Sequence, residues 1–176
     1  MRSALALIAL LAVSAPATAE ITAYTDETAF LDALSAAGYL TVYESFEDEA
    51  VWGHVRTTIP GGPHTAPSVS SHGITWSANN PLSGVTTGEG PARTGQWGFF
   101  ELPHGDPASG VHDGWIMTGE EPLYAAGGWL ETNTFGARVN LVLDGSILID
   151  FEDHPLDYAH QFYGVVATEG FLSCEI

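Results

Sequence analysis

RVNLVLDGSILIDF, Arg138–Phe151, holds two short apolar runs joined by Asp144-Gly145. Both turn residues tolerate positive φ, so an Asp-Gly pair between apolar strands is a strong local signal for a hairpin. Working outward, Gly128–Asn133 reads as a strand before it. Gln161–Ala167 and Phe171–Ile176 read as two more after it, separated by the turn residues Thr168-Glu169-Gly170. Upstream, Gly73–Ser77, Gly84–Gly88, Gln96–Leu102 and Gly114–Thr118 mix β-branched and aromatic residues between Gly, Asn and Pro. Short strands at this spacing predict an all-β fold, an antiparallel β-sandwich, rather than alternating strands and helices.

One helix is expected ahead of the strands. Thr25 or Asp26 can cap a segment in which Phe30, Leu34 and Ala37 recur at helical spacing, and Gly38 supplies the stop. This helix is expected to plug one end of the sandwich. From Tyr39 the period changes to two, predicting a strand through Phe46 that ends in the acidic turn Glu47-Asp48-Glu49. Between Trp52 and Pro67, His54, Pro60, Gly61-Gly62, Pro63 and His64 predict a long exposed loop.

Export is read from the first nineteen residues. Arg2, the apolar run Ala4–Val13 and the small-residue exit Ala17-Thr18-Ala19 form a signal peptide, with Glu20 as the first mature residue. Residues 20–176 are then expected to form a single domain, secreted or periplasmic, with no membrane attachment after cleavage. The chain has no lysine, and after Arg2 leaves, 22 acids face three arginines, a net charge of −19. Such a surface repels phosphate backbones and argues against nucleic acid as a partner. Cys174 stands alone, so no intrachain disulfide is expected; a buried, inert thiol is.

Three groups of residues carry candidate chemistry. Glu44, Glu47 and Asp48 at the end of the first predicted strand offer oxygen ligands of the kind calcium prefers, which makes calcium the one candidate cofactor. His104, His112 and Asp113 flank a Gly/Pro/Ser loop, with Asp106 between them, and offer ligands for a transition metal. Among five tryptophans, Trp76, Trp115 and Trp129 lie in apolar strands and read as core. Trp97 with Gln96, and Trp52, are left as candidates for an exposed ring that stacks on a sugar. A glycosidase would need two carboxylates, and Glu101 and Glu131 are the first choices because they end predicted strands.

The order of Ala33-Leu34 in a helix, VYESFE at Val42–Glu47, HGITW at His72–Trp76, then FGARVNLVLDGSILIDF and QFYGVVATEGFLSCEI, resembles exported bacterial β-sandwich proteins associated with PEP-CTERM sorting. The resemblance implies a jelly-roll-like sandwich akin to carbohydrate-binding modules, at a cell surface or in an exopolysaccharide matrix. Its sorting tail is absent here. Similar proteins also continue past the position of Ile176 into a final strand bearing paired acids, which would help complete a calcium site. The resemblance thus implies a domain shortened at its C-terminal end, with an open sheet edge available for self-association.

The expected function is therefore a secreted, non-catalytic binding or matrix protein whose favoured partner is a polysaccharide. The alternatives are a secreted carbohydrate-active enzyme using a carboxylate pair, and a purely structural matrix protein that self-associates.

Overall fold

A computed structural model describes residues 20–62, 64–90, 92–105, 112–132 and 136–176. Residues 1–19, read above as a signal peptide, and the loop 106–111 with Asp106 lie outside the described residues. The fold is all-β and sandwich-like, as expected. Its strands are β1 (Ile21–Tyr24), β2 (Ser68–Ser71), β3 (Ile74–Ala78), β4 (Gly84–Glu89), β5 (Trp97–Leu102), β6 (Trp115–Leu130), β7 (Asn140–Leu143), β8 (Ile147–Asp150) and β9 (Gln161–Glu175). The helices are α1 (Glu27–Ala37) and the single turn α2 (Glu49–Trp52), which runs into a 3-10 turn at Gly53–Val55. The main sheet has the order β2-β3-β6-β9-β7-β8, with β1 added alongside β9; β4 and β5 form a second, two-stranded sheet.

Asp144 and Gly145 take the expected positive φ of 49° and 65°, and Ser146 completes the β7–β8 connection. The Asp144 carboxylate also accepts from the backbone N–H groups of Leu172 and Ser173 at 2.9 Å each, tying the hairpin to β9. Asp144→Ala is expected to lose both bonds and the tolerance for positive φ, lowering stability by about 2 kcal/mol in urea unfolding. A loss below about 0.5 kcal/mol would refute that role.

The sequence reads Gly114–Thr118 and Gly128–Asn133 as separate strands, and likewise the two halves of Gln161–Ile176. Both pairs are instead single strands, β6 and β9, which run antiparallel to one another from Ile116↔Glu175 to Leu130↔Gln161. The register shifts between Thr118 and Leu123 and again before Ala125. Pro122 sits in this irregularity, where its missing N–H removes no regular ladder bond. Gly170 faces it, so close that an added Cβ would lie 2.7 Å from the Pro122 Cβ. The turn residues of the two strands thus mark one matched bulge, not two chain reversals.

β9 lies inside the sheet. β6 pairs along one side of it, and β1 and β7 pair along the other. Among the described strands the main sheet therefore has its edges at β2, β8 and the outer side of β1, and β9 is not one of them. Along β9, Tyr163, Val165 and Ala167 alternate into the main core with Leu141, Leu143 and Cys174. Phe162 points to the opposite face, where Phe30 and Leu34 of α1 cover it. Asp26 caps α1 by accepting from Ala29 N–H, and Gly38 ends it in the left-handed conformation. The helix lies on the sheet's outer face, not over its end. It fits there because Gly127 and Gly164 are cross-strand partners, and a Cβ on either would come within 3.0–3.1 Å of the Phe30 ring.

The predicted strand at Tyr39–Phe46 is absent. Among the described strands none pairs with it, and Leu40, Val42 and Tyr43 are exposed. Its end is anchored in the core: Phe46, at φ 64°, packs edge-on against Trp52 and Trp76 and stacks on Phe99, with centroids 5.0–5.4 Å apart. The following loop is also less exposed than expected, since Val55 and Arg56 are buried and Arg56 bridges to Thr87 of β4. Cys174 is fully buried, and burial with the neighbouring Glu175 charge pushes its thiol up to about 12.

Candidate functional site

Arg56 organises the surface that carries Trp97. Its guanidinium donates to the carbonyls of Phe46 (2.8 Å) and Glu47 (3.3 Å), to Thr87 Oγ1 (3.1 Å), and to the Glu49 carboxylate (3.4 Å). It also lies 3.9 Å from the centre of the Trp97 ring. A planar cation with a fork of donors can bridge carbonyls and stack on an aromatic face at once, which lysine cannot. The inner face of Trp97 is thereby backed by a buried, hydrogen-bonded group.

The backbone at this position is fixed as well. Glu47 Oε1 accepts from the N–H groups of Gln96 (2.7 Å) and Trp97 (2.9 Å), while Gln96 Nε2 donates to Glu89 Oε1 (2.7 Å). The hydroxyl of Tyr43, a ring 67% exposed, pairs with Thr94 Oγ1 at 2.5 Å. Trp97 is half-buried, so Trp97, Gln96, Glu89 and Tyr43 form an aromatic surface edged with amide, carboxylate and hydroxyl groups. The two candidates Trp97 and Gln96 come together as the sequence suggested. Trp52 does not join them: it is fully buried on α2 among Phe46, Trp76 and Phe99, which corrects its assignment as an exposed ring.

The acids expected to hold calcium are turned onto backbone N–H groups. Glu44 accepts from Phe46 N–H, Glu47 from Gln96 and Trp97, and Asp48 caps α2 through Ala50 N–H. The carbonyls of Phe46 and Glu47, which a cation would seek, face the Arg56 guanidinium instead. Among the described residues, no group of three His, Cys, Asp or Glu side chains is placed to hold a metal ion. His104 does meet Asp113, Nδ1 to Oδ2 at 3.4 Å, while His112 is exposed without joining them.

Glu101, named as a catalytic candidate, is 2% exposed. Its Oε1 accepts from Gly114 N–H at 3.1 Å, and its Oε2 is buried without a hydrogen-bond partner among the described residues. Burial pushes its carboxyl up to about 7, and the charge of Asp113 acts the same way, against the opposing Gly114 N–H. Glu131 has a separate partner, His160, at 3.5 Å.

A depression of about 380 Å³ opens on the helix side of the main sheet. It is lined by the first turn of α1 together with Arg93, Trp129 and Gln161. Trp129 is half-buried there, packed edge-on against Phe162, so it is a wall and not an interior core residue as expected. Arg56, Arg93, Tyr43 and Glu89 were missed in the sequence. The legible signal was scarcity, since each arginine in so acidic a chain must hold a specific place. Compared with family models, curated proteins and solved structures, the chain finds no match.

Proposed function

We propose that this is an exported, non-catalytic glycan-binding module of a cell surface or extracellular matrix, with Trp97 as its platform. The observation that carries this reading is the rigid mounting of Trp97: Arg56 beneath the ring, Glu47 on its backbone, and Gln96, Glu89 and Tyr43 beside it. An aromatic ring fixed in this way stacks on the apolar face of a sugar with little ordering cost, and the flanking polar groups bond its hydroxyls. The catalytic alternative is less well supported. Carboxyl groups that cleave a glycosidic bond flank it about 5 to 10 Å apart, whereas Glu101 lies against Gly114 at the start of β6 and Glu131 follows the end of that sixteen-residue strand, paired with His160.

The test is a glycan-array screen of the purified protein with and without calcium, with Trp97→Ala alongside. Binding is expected in the parent and is expected to fall by about tenfold or more in the variant, assayed at a temperature where thermal melting shows both to be folded. Silence across the array from a folded, monodisperse sample overturns the reading.

A further inference from the structure

We propose that the depression beside Trp129 is a second sugar subsite continuous with the Trp97 face, so that the ligand is a neutral oligosaccharide spanning both. This rests on the glycan-binding reading and specifies its ligand. The depression's volume, about 380 Å³, falls in the range of roughly 300–1,000 Å³ typical of small-molecule sites.

Arg93 is the residue that points to a ligand. Its guanidinium lies 4.3 Å from the centre of the Trp129 ring. Among the described residues it makes no hydrogen bond or ion pair, although Asp26 and Glu27 line the same depression and the chain carries a large excess of acids. A structural arginine in such surroundings takes a carboxylate, as Arg56 and Arg138 do. Arg93 is exposed, and its donors are free to meet a ligand's hydroxyl groups in place of water. Gln161 is similarly preset: its Oε1 accepts from Asp157 N–H at 2.6 Å, which leaves the amide –NH₂ as the donor on the depression's lining.

Donors from Arg93 and Gln161 thus face acceptors from Asp26 and Glu27 beside an indole wall. That mixture suits hydroxyl groups, which both donate and accept. It does not suit a polyanion, which the two acids and the net charge of the chain would repel. That the depression and the Trp97 face form one surface is part of the proposal, and the chain brings the two close. Arg93 and Trp97 are four residues apart, so their Cα atoms lie within about 14 Å, and Thr94 between them bonds Tyr43 of the Trp97 surface. One stretch of backbone therefore presents Arg93 to one sugar position and Trp97 to another.

The experiment is calorimetric titration of the full-length protein with cellohexaose, laminarihexaose, maltohexaose and mannohexaose, with methyl glucoside and hexagalacturonate as controls. The variants are Trp97→Ala, Arg93→Ala and Arg93→Lys, each checked by thermal melting. The expected result is that one neutral hexasaccharide binds, methyl glucoside binds far more weakly, and Trp97→Ala and Arg93→Ala each weaken the hexasaccharide by about tenfold. Arg93→Lys, which keeps the charge and loses the planar fork, is expected to fall between. If Trp97→Ala weakens binding while both Arg93 variants bind as the parent does, the second subsite is wrong and the module reading stands. Tighter binding of hexagalacturonate overturns the neutral ligand. A folded parent that binds none of the hexasaccharides overturns the subsite and, if the array is also silent, the module.

Discussion

Arg56→Met is expected to cost about 3–5 kcal/mol of stability, measured by urea unfolding at neutral pH. Methionine fills much of the space but donates nothing. The Phe46 and Glu47 carbonyls and Thr87 Oγ1 lose their partner, and the Trp97 ring loses its backing. The effect reaches further than one side chain because the unpaired segment 39–47 is held to the body of the protein through this guanidinium and through Phe46 in the aromatic core. Arg56→Lys is expected to recover part of the loss, since an ammonium can satisfy some of these acceptors but cannot stack as a planar fork. Glu49→Ala provides the contrast: that carboxylate is 78% exposed, and removing it is expected to cost less than about 0.5 kcal/mol. If Arg56→Met and Glu49→Ala prove equally mild, the guanidinium is not the anchor described.

Glu101→Gln is expected to make the protein more stable at pH 8, by up to about 3 kcal/mol, and to leave it nearly unchanged near pH 4. The folded carboxyl titrates at about 7, above its ordinary 4.5. A carboxyl raised on folding contributes its full stability while it is protonated in both states, below about 4.5. That contribution is lost as pH rises from there through about 7, because the unfolded chain ionises at no such cost. Glutamine keeps an acceptor for Gly114 N–H but has no charge to bury. The variant should therefore lack this component of the pH dependence, and its melting temperature should exceed that of the parent by roughly 6–12 °C at pH 8. Parallel pH profiles for parent and variant would show that Glu101 is not held neutral by its surroundings.

Much of the fold was legible because its signals are local. The Asp144-Gly145 turn needs only two residues that accept positive φ, and the cap and stop of α1 lie within a turn of the helix they bound. The failures came where a local signal has two physical meanings. Thr168-Glu169-Gly170 reads as a reversal, yet opposite Pro122 the same residues make a bulge within one long strand. The alternation from Leu40 to Phe46 fits a strand, but a strand exists only where another offers its hydrogen-bonding edge. The candidate site followed the same logic. Trp97 and Gln96 are adjacent in sequence and stayed together, whereas the burial of Trp52 depends on Phe46, Trp76 and Phe99 converging from three other segments. The acids near Glu47 were visible as a cluster; that Arg56 takes the neighbouring carbonyls was not, because nothing in spacing alone joins residue 56 to residues 46 and 47.

The position of β9 sets the order in which the molecule can be assembled. It is the strand that β1, β6 and β7 all hydrogen-bond to, and it follows every one of them in the chain. As the polypeptide emerges from its N-terminal end, β1 waits through more than a hundred residues for its partner, while β6 and β7 have only part of the sheet to join. Hairpins such as β4–β5 and β7–β8 can close early, but the sheet becomes one cooperative unit only when Gln161–Glu175 arrives. Contacts this distant in sequence place the domain among slow-folding β proteins, on the scale of milliseconds to seconds.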